Sequence, residues 1–88
     1  MRTYRLVISS PDGTIFDGEA VNLCLRGANG DLAVMANHAP FITSVKPCEC
    51  KVEFENDVIK MAQTDGGLLT VDNEKVTLLS GSFKWITE

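Results

Sequence analysis

The feature that most constrains this chain is a two-residue hydrophobic period, recurring in short runs that turn signals cut off. In Lys51-Val52-Glu53-Phe54-Glu55, Val52 and Phe54 share one side and the charges share the other. Tyr4, Leu6 and Ile8 alternate in the same way with Arg5, Val7 and Ser9, and Val21, Leu23 and Leu25 with Asn22, Cys24 and Arg26. Successive strand side chains point to opposite faces, so this period predicts strands with one buried face. Eight Val, five Ile and seven Thr supply the β-branched side chains that favour a pleated surface.

The breaks between runs have their own chemistry. Pro11-Asp12-Gly13 combines a fixed φ, an Asx side chain and a permissive glycine, which predicts a tight turn. Gly27-Ala28-Asn29-Gly30 and Asn37-His38-Ala39-Pro40 read as loops flanking a short strand from Asp31 to Met35. Asn56-Asp57, between 51–55 and 58–62, and Asp72-Asn73, between 67–71 and 75–79, stand at two-residue hairpin length. Gly66-Gly67 reads as a bulge or a close strand contact where a Cβ would clash. No helix is expected: Leu78 to Thr87 is interrupted by Ser80-Gly81-Ser82 and carries the strand formers Phe83, Trp85 and Ile86. Regularly spaced strands joined by hairpins point to an antiparallel sandwich or barrel, organised as one all-β domain over residues 1–88.

Charge and composition remove several function classes. Eight Lys and Arg against twelve Asp and Glu give a net charge of −4, and no segment is basic. Nucleic-acid binding and direct attraction to an anionic membrane surface are therefore not expected. The apolar run at Val7-Ile8 ends at once in Ser9-Ser10-Pro11, too short for a signal sequence, so the chain is expected to stay where it is made.

Chemistry is sparse. Cys24, Cys48, Cys50 and His38 make four nominal zinc ligands, but the pair is C-x-C, and structural zinc sites favour C-x₂₋₄-C. The competing reading is three small reduced cysteines, which an odd count favours. No nucleophile elbow, zinc-protease helix or phosphate-cradling glycine loop is present, and Gly66-Gly67 is followed by Leu68-Leu69-Thr70 rather than a Lys-Ser/Thr pair. Neither catalytic residues nor cofactors are expected.

The order of several segments carries a family resemblance. Tyr4-Arg5-Leu6-Val7-Ile8-Ser9-Ser10-Pro11, Ile15-Phe16-Asp17-Gly18-Glu19-Ala20-Val21, Gly30-Asp31-Leu32, Asn37-His38-Ala39-Pro40, Lys46-Pro47, Asp65-Gly66-Gly67-Leu68-Leu69-Thr70-Val71 and Val76-Thr77-Leu78-Leu79 succeed one another from Tyr4 to Leu79. Together they resemble the N-terminal β-sandwich domain of the epsilon subunit of F-type ATP synthases. Ala33, Asn37 and Cys48 stand where that family has glycine; Asn tolerates positive φ, whereas Cys48 suggests an altered turn.

The resemblance implies an antiparallel β-sandwich of two packed sheets and a non-catalytic rotor subunit of the central stalk. Its partners would be the gamma subunit and the membrane ring of c subunits, with membrane association only through the complex, at the cytoplasmic face of an energy-transducing membrane. Asp31, Leu32, Met35, His38 and Pro40 are the implied partner-facing residues, and Gly30, Gly66 and Gly67 are structural. The family's C-terminal helical hairpin is expected to be lacking. Residues 79–88 are expected as a short soft tail, with Phe83 and Trp85 folding back, and such a chain is expected not to block ATP hydrolysis. A stand-alone β-sandwich binding module and a small thiol or metal protein are the competing classes.

Overall fold

A computed structural model describes residues 2–86. Ten strands follow in order: β1 Tyr4–Ser10, β2 Gly13–Ala20, β3 Asn22–Gly27, β4 Gly30–Met35, β5 Phe41–Val45, β6 Cys48–Glu53, β7 Ile59–Thr64, β8 Gly67–Val71, β9 Lys75–Ser80 and β10 Phe83–Trp85. The alternation holds: Leu6 and Ile8 of β1, Leu23 and Leu25 of β3, and Val52 of β6 are buried, while Arg5, Arg26 and Asp31 are exposed.

Three long antiparallel strands, 41–53, 59–71 and 75–85, shape the fold. Each bends once, at Lys46-Pro47, Asp65-Gly66 and Gly81-Ser82. Phe41↔Val71 through Val45↔Gly67 and Cys48↔Thr64 through Glu53↔Ile59 keep a single register across the first bend. Gly67↔Ser80 and Phe83↔Thr64 do the same across the second. The halves before and after the bends lie in different layers. One layer holds β4-β3-β6-β7-β10 and the other β5-β8-β9-β1-β2, with hydrogen bonding continuous around the corner. The expected two packed sheets are therefore two layers of one folded sheet. Every pairing among the described residues is antiparallel except β1 with β9, because β1 enters beside a strand more than sixty positions later in the chain.

The side of each strand that faces inward changes at the corner. Ala62 and Thr64 are buried before it and Leu69 and Val71 after it; Val76, Leu78 and Ser80 before it and Phe83 after it. A shared polar cluster satisfies the bent backbones. Buried Thr64 Oγ1 and Ser80 Oγ lie 2.7 Å apart. Gly66 N–H donates to Thr64 Oγ1 at 3.1 Å, and Ser82 N–H donates to Asp65 Oδ1 at 3.0 Å. The expectation of a close contact at Gly66-Gly67 is met here. A Cβ on Gly66 would lie 2.6 Å from the Val45 carbonyl oxygen, and one on Gly67 (φ +157°) would overlap that of Leu79.

Three expectations are corrected. The β6–β7 loop is not two residues: Phe54 N–H donates to Val58 O at 2.7 Å around a 3₁₀ turn at Glu55–Asp57. Asn56 and Asp57 hold φ of 65° and 60°, which short polar side chains tolerate. The β8–β9 turn falls one residue later, at Asn73-Glu74: Asp72 N–H donates to Lys75 O at 3.1 Å, and Asp72 Oδ1 accepts from Glu74 N–H and Lys75 N–H at 2.8 Å each. Finally, 79–86 is not a soft tail. Leu79-Ser80 completes β9 and Phe83–Trp85 forms β10 on β7, with Phe83 buried. Thr87 and Glu88 lie outside the described residues.

The core consists of the inward residues of both layers, among them Leu6, Ile8, Leu23, Val34, Val52, Leu69 and Leu78. The outermost strands, β2 and β10, are bridged by side chains instead of hydrogen bonds. Phe16 meets Trp85 edge-on at 5.9 Å and Phe54 at 5.6 Å, and Trp85 meets Phe83 at 5.2 Å. Among the described residues no helix is long and apolar enough to cross a membrane.

Candidate interaction surface

β4 positions most of the residues singled out from the sequence. Ala28-Asn29 makes a two-residue turn, with Gly30 at φ +118° opposite Gly27, and sends β4 back along the whole of β3. Asp31, Ala33 and Met35 then face outward, and Val34 is buried against the core. Leu32 shares the inner side with Val34 and is partly buried beside Gly27, so less of it is open to a partner than of Asp31 or Met35. Asp31 pairs with Arg26 at 3.3 Å, with side chains 86% and 58% exposed, a geometry worth little to stability. Its carboxylate is open to a partner.

Met35, His38 and Pro40 gather at the far end of β4, roughly 13 Å from Asp31 at strand rise. Asn37 takes φ 67°, the left-handed conformation for which the resembled family uses glycine. His38 N–H donates to Met35 O at 3.3 Å and closes the turn; the exposed ring lies 5.0 Å from Phe41, with Nδ1 3.0 Å from the Ala39 carbonyl. This loop and the β8–β9 turn frame a cleft of about 280 Å³, lined by Tyr4, Met35, His38, Pro40, Asp72 and Lys75 among others. Backbone donors from Lys75 and Glu74 hold the Asp72 carboxyl below the usual carboxylate range.

Tyr4 was not singled out from the sequence as a site residue. Its hydroxyl donates to Val34 O at 2.8 Å and ties β1 of one layer to β4 of the other. Burial pushes the phenol well above its ordinary range, and Cys24 adds to the shift. No local signal announces a contact between residues thirty positions apart.

The nominal zinc ligands are dispersed. Cys24 lies on the outer side of β3 among Arg26, Ala33 and Lys51, whereas Cys50 is buried on the inner side of β6. Cys48 Sγ accepts the Arg26 N–H at 3.4 Å, and His38 sits in the loop after β4. Burial, with Cys48 adjacent, pushes the Cys50 thiol up to about 12. Among the described residues no three His, Cys, Asp or Glu side chains gather.

The class these features define is a small two-layer β-sandwich that presents an edge strand and a loop-bearing end. Residues 3–86 match the domain family described as ATP synthase, Delta/Epsilon chain, beta-sandwich domain, and the chain belongs to that family. It is 28% identical over 88 residues to an ATP synthase epsilon chain of Clostridium perfringens, covering all of this chain and 66% of that one. It is 36% identical over 78 residues to an epsilon chain of Desulfitobacterium hafniense, covering 89% and 58%. The chain thus spans less than two thirds of the length of these curated relatives. Among solved structures, a chain of the Euglena gracilis mitochondrial ATP synthase (OSCP/F1/c-ring) superposes with a TM-score of 0.88 at 19% identity, covering 94% of this chain and 53% of that one. A chain of the Tetrahymena thermophila central stalk and c-ring gives 0.76 at 13% identity, covering 93% and 66%. At these identities the superpositions speak to the fold.

Proposed function

We propose that this chain works as the epsilon-type sandwich of an F-type ATP synthase. In this reading it is a non-catalytic part of the central stalk that fastens the gamma subunit to the ring of c subunits, on the cytoplasmic face of the membrane. The observation that carries the reading is the family match over residues 3–86, nearly the whole chain. The architecture suits the task. Three strands that turn a common corner without a break in register make a stiff body, and the Asp65–Ser82 and Thr64–Ser80 bonds brace the bend. A stiff body passes torque between two partners without absorbing it in bending.

The two ends of β4 divide the labour. Asp31 offers an exposed carboxylate to basic groups of a partner, and Met35, His38 and Pro40 offer an apolar and aromatic patch at the other end. The test mixes the purified chain with the gamma subunit of the same source, then with detergent-solubilised c-ring, and reads complex formation by gel filtration. The expected result is a one-to-one complex with gamma that captures the ring. A chain that elutes unchanged in the presence of gamma overturns the reading.

A further inference from the structure

An open sheet edge is a template for another strand, so folded proteins blunt their edges. Here the treatment of the edges is uneven. The β10 edge is three residues long and faces β2 across the Phe16–Trp85 contact. β2 itself carries Asp17 and Glu19, pairs Arg5 with Asp17 at 2.8 Å, and lies opposite a bulge at Ile8/Ser9. The outer side of β5 is met at Val45 by Gly27, and its Thr43 Oγ1 accepts Ala28 N–H at 3.4 Å. β4 is the least protected: its one device is Asp31, paired with Arg26 at 3.3 Å and 86% exposed at its side chain. Six residues long, Gly-Asp-Leu-Ala-Val-Met, it pairs only with β3, in unbroken register, with a single charge and no proline or lysine.

Hydrogen-bond alternation fixes which backbone groups that edge offers. Across a two-residue hairpin, Gly27↔Gly30, Leu25↔Leu32 and Leu23↔Val34 are the bonded pairs, so Asp31, Ala33 and Met35 turn their backbone groups away from β3. Three bonds agree with this phase. Arg26, opposite Asp31, directs its N–H to Cys48 Sγ and its C=O to Lys46 N–H, both on the side away from β4. Met35 O, directed away from β3, accepts His38 N–H. The outer edge of β4 therefore presents N–H and C=O of Asp31 and Ala33 together with N–H of Met35. Nothing among the described residues pairs with it as a strand.

We propose that β4 accepts an extended segment of a partner protein as an added strand, hydrogen-bonded through Asp31, Ala33 and Met35. The side chains specify the segment. Asp31, 86% exposed at its side chain, calls for a lysine or arginine across from it; Ala33 leaves room for a larger apolar side chain; Met35, 57% exposed, calls for an apolar one. A net charge of −4 on this chain favours a basic strand over a second copy of the acidic chain. This deepens the proposed function by naming how a stalk partner is held.

The test uses the ¹⁵N-labelled full chain and a synthetic, end-capped heptapeptide alternating valine and threonine, with one lysine set opposite Asp31. The expected result is slowed exchange and shifted resonances of the Asp31, Ala33 and Met35 amides. Ala33→Pro removes an edge N–H on the open side and is expected to weaken binding at least tenfold while the far-ultraviolet circular dichroism stays unchanged. Asp31→Asn, which leaves the backbone intact, is expected to weaken it several-fold and to reduce its salt dependence; should the proline variant fail to fold, this variant carries the comparison. Shifts confined to other strands, or none at peptide saturation of solubility, overturn the proposal. Protection of the same amides in the free chain, growing with its concentration, assigns the edge to a second copy and overturns it too. A parallel arm with the gamma subunit separates the two readings: binding without protection at β4 keeps the stalk assignment and removes the added strand.

Discussion

Replacing Gly67 with alanine is the sharpest probe of the corner. A Cβ there overlaps the carbonyl oxygen of Leu79, a backbone atom in the neighbouring strand that no rotamer change can move aside. Two costs follow. Holding φ near +157° with a side chain attached costs about 1–3 kcal/mol. Pushing β8 away from β9 weakens one or two ladder bonds around Gly67↔Ser80, at about 1 kcal/mol each. The sum is about 2–5 kcal/mol, a large share of the roughly 4–13 kcal/mol available to a chain of this size, and lowers Tm by roughly 10–30 °C. Because the collision occurs at Cβ, Gly67→Val should cost little more than Gly67→Ala. Gly30→Ala is the control: φ is +118° but nothing lies within 4 Å of its Cβ, so only the conformational cost applies. Urea melts of the three variants and the parent, at equal slope, give the comparison. If Gly67→Ala matches Gly30→Ala, or lies within about 0.5 kcal/mol of the parent, the steric account of the corner is wrong.

Four further outcomes follow from particular contacts. Asp65→Ala removes the acceptor of the exposed Ser82 N–H at the corner and should cost about 0.5–1.5 kcal/mol in the same melts. Trp85→Ala opens the aromatic seam between β2 and β10; the half-buried ring makes about 2–3 kcal/mol the expected loss, read by thermal melting followed by circular dichroism. The Asp72 carboxyl is held below its unfolded value, so its contribution is complete above the ordinary carboxylate range and disappears as pH falls through the folded value. Asp72→Asn should therefore lose less stability than the parent between about pH 7 and pH 3. Cys50, buried with its thiol raised to about 12, should resist iodoacetamide in the native protein while Cys24 and Cys48 are modified, as peptide mass mapping would show.

What could be learned from the sequence was whatever depends on near neighbours. Alternation at Tyr4-Leu6-Ile8 and Leu23-Leu25 identified inward faces, because strand geometry places side chains on opposite sides at each step. Pro11-Asp12 and Ala28-Asn29 gave up their turns for the same reason, and Asn37 its positive φ. The collision at Gly67 was legible as a need for glycine, though not the atom responsible for it. Phe83 and Trp85 were strand formers in a stretch that otherwise looked too short and too broken to belong to the sheet.

The tertiary structure alone decided which runs join into longer strands. Lys46-Pro47, Asp65-Gly66 and Gly81-Ser82 are ordinary breaks in one dimension; they become one corner only when three strands lie side by side and share Thr64, Asp65 and Ser80. The change of inward side at those breaks disrupts the very period from which faces were inferred, which is why 75–85 did not read as one strand. The parallel pairing of β1 with β9 and the Tyr4–Val34 bond likewise join residues far apart in the chain. The candidate site divides along the same line. Asp31, His38 and Pro40 were singled out because they stand in segments that repeat a family order, and the structure finds these residues and Met35 exposed. That Leu32 turns inward, and that β4 ends its layer as an edge, depends on what packs beside them, and a chain of residues carries no local trace of its neighbours across the sheet.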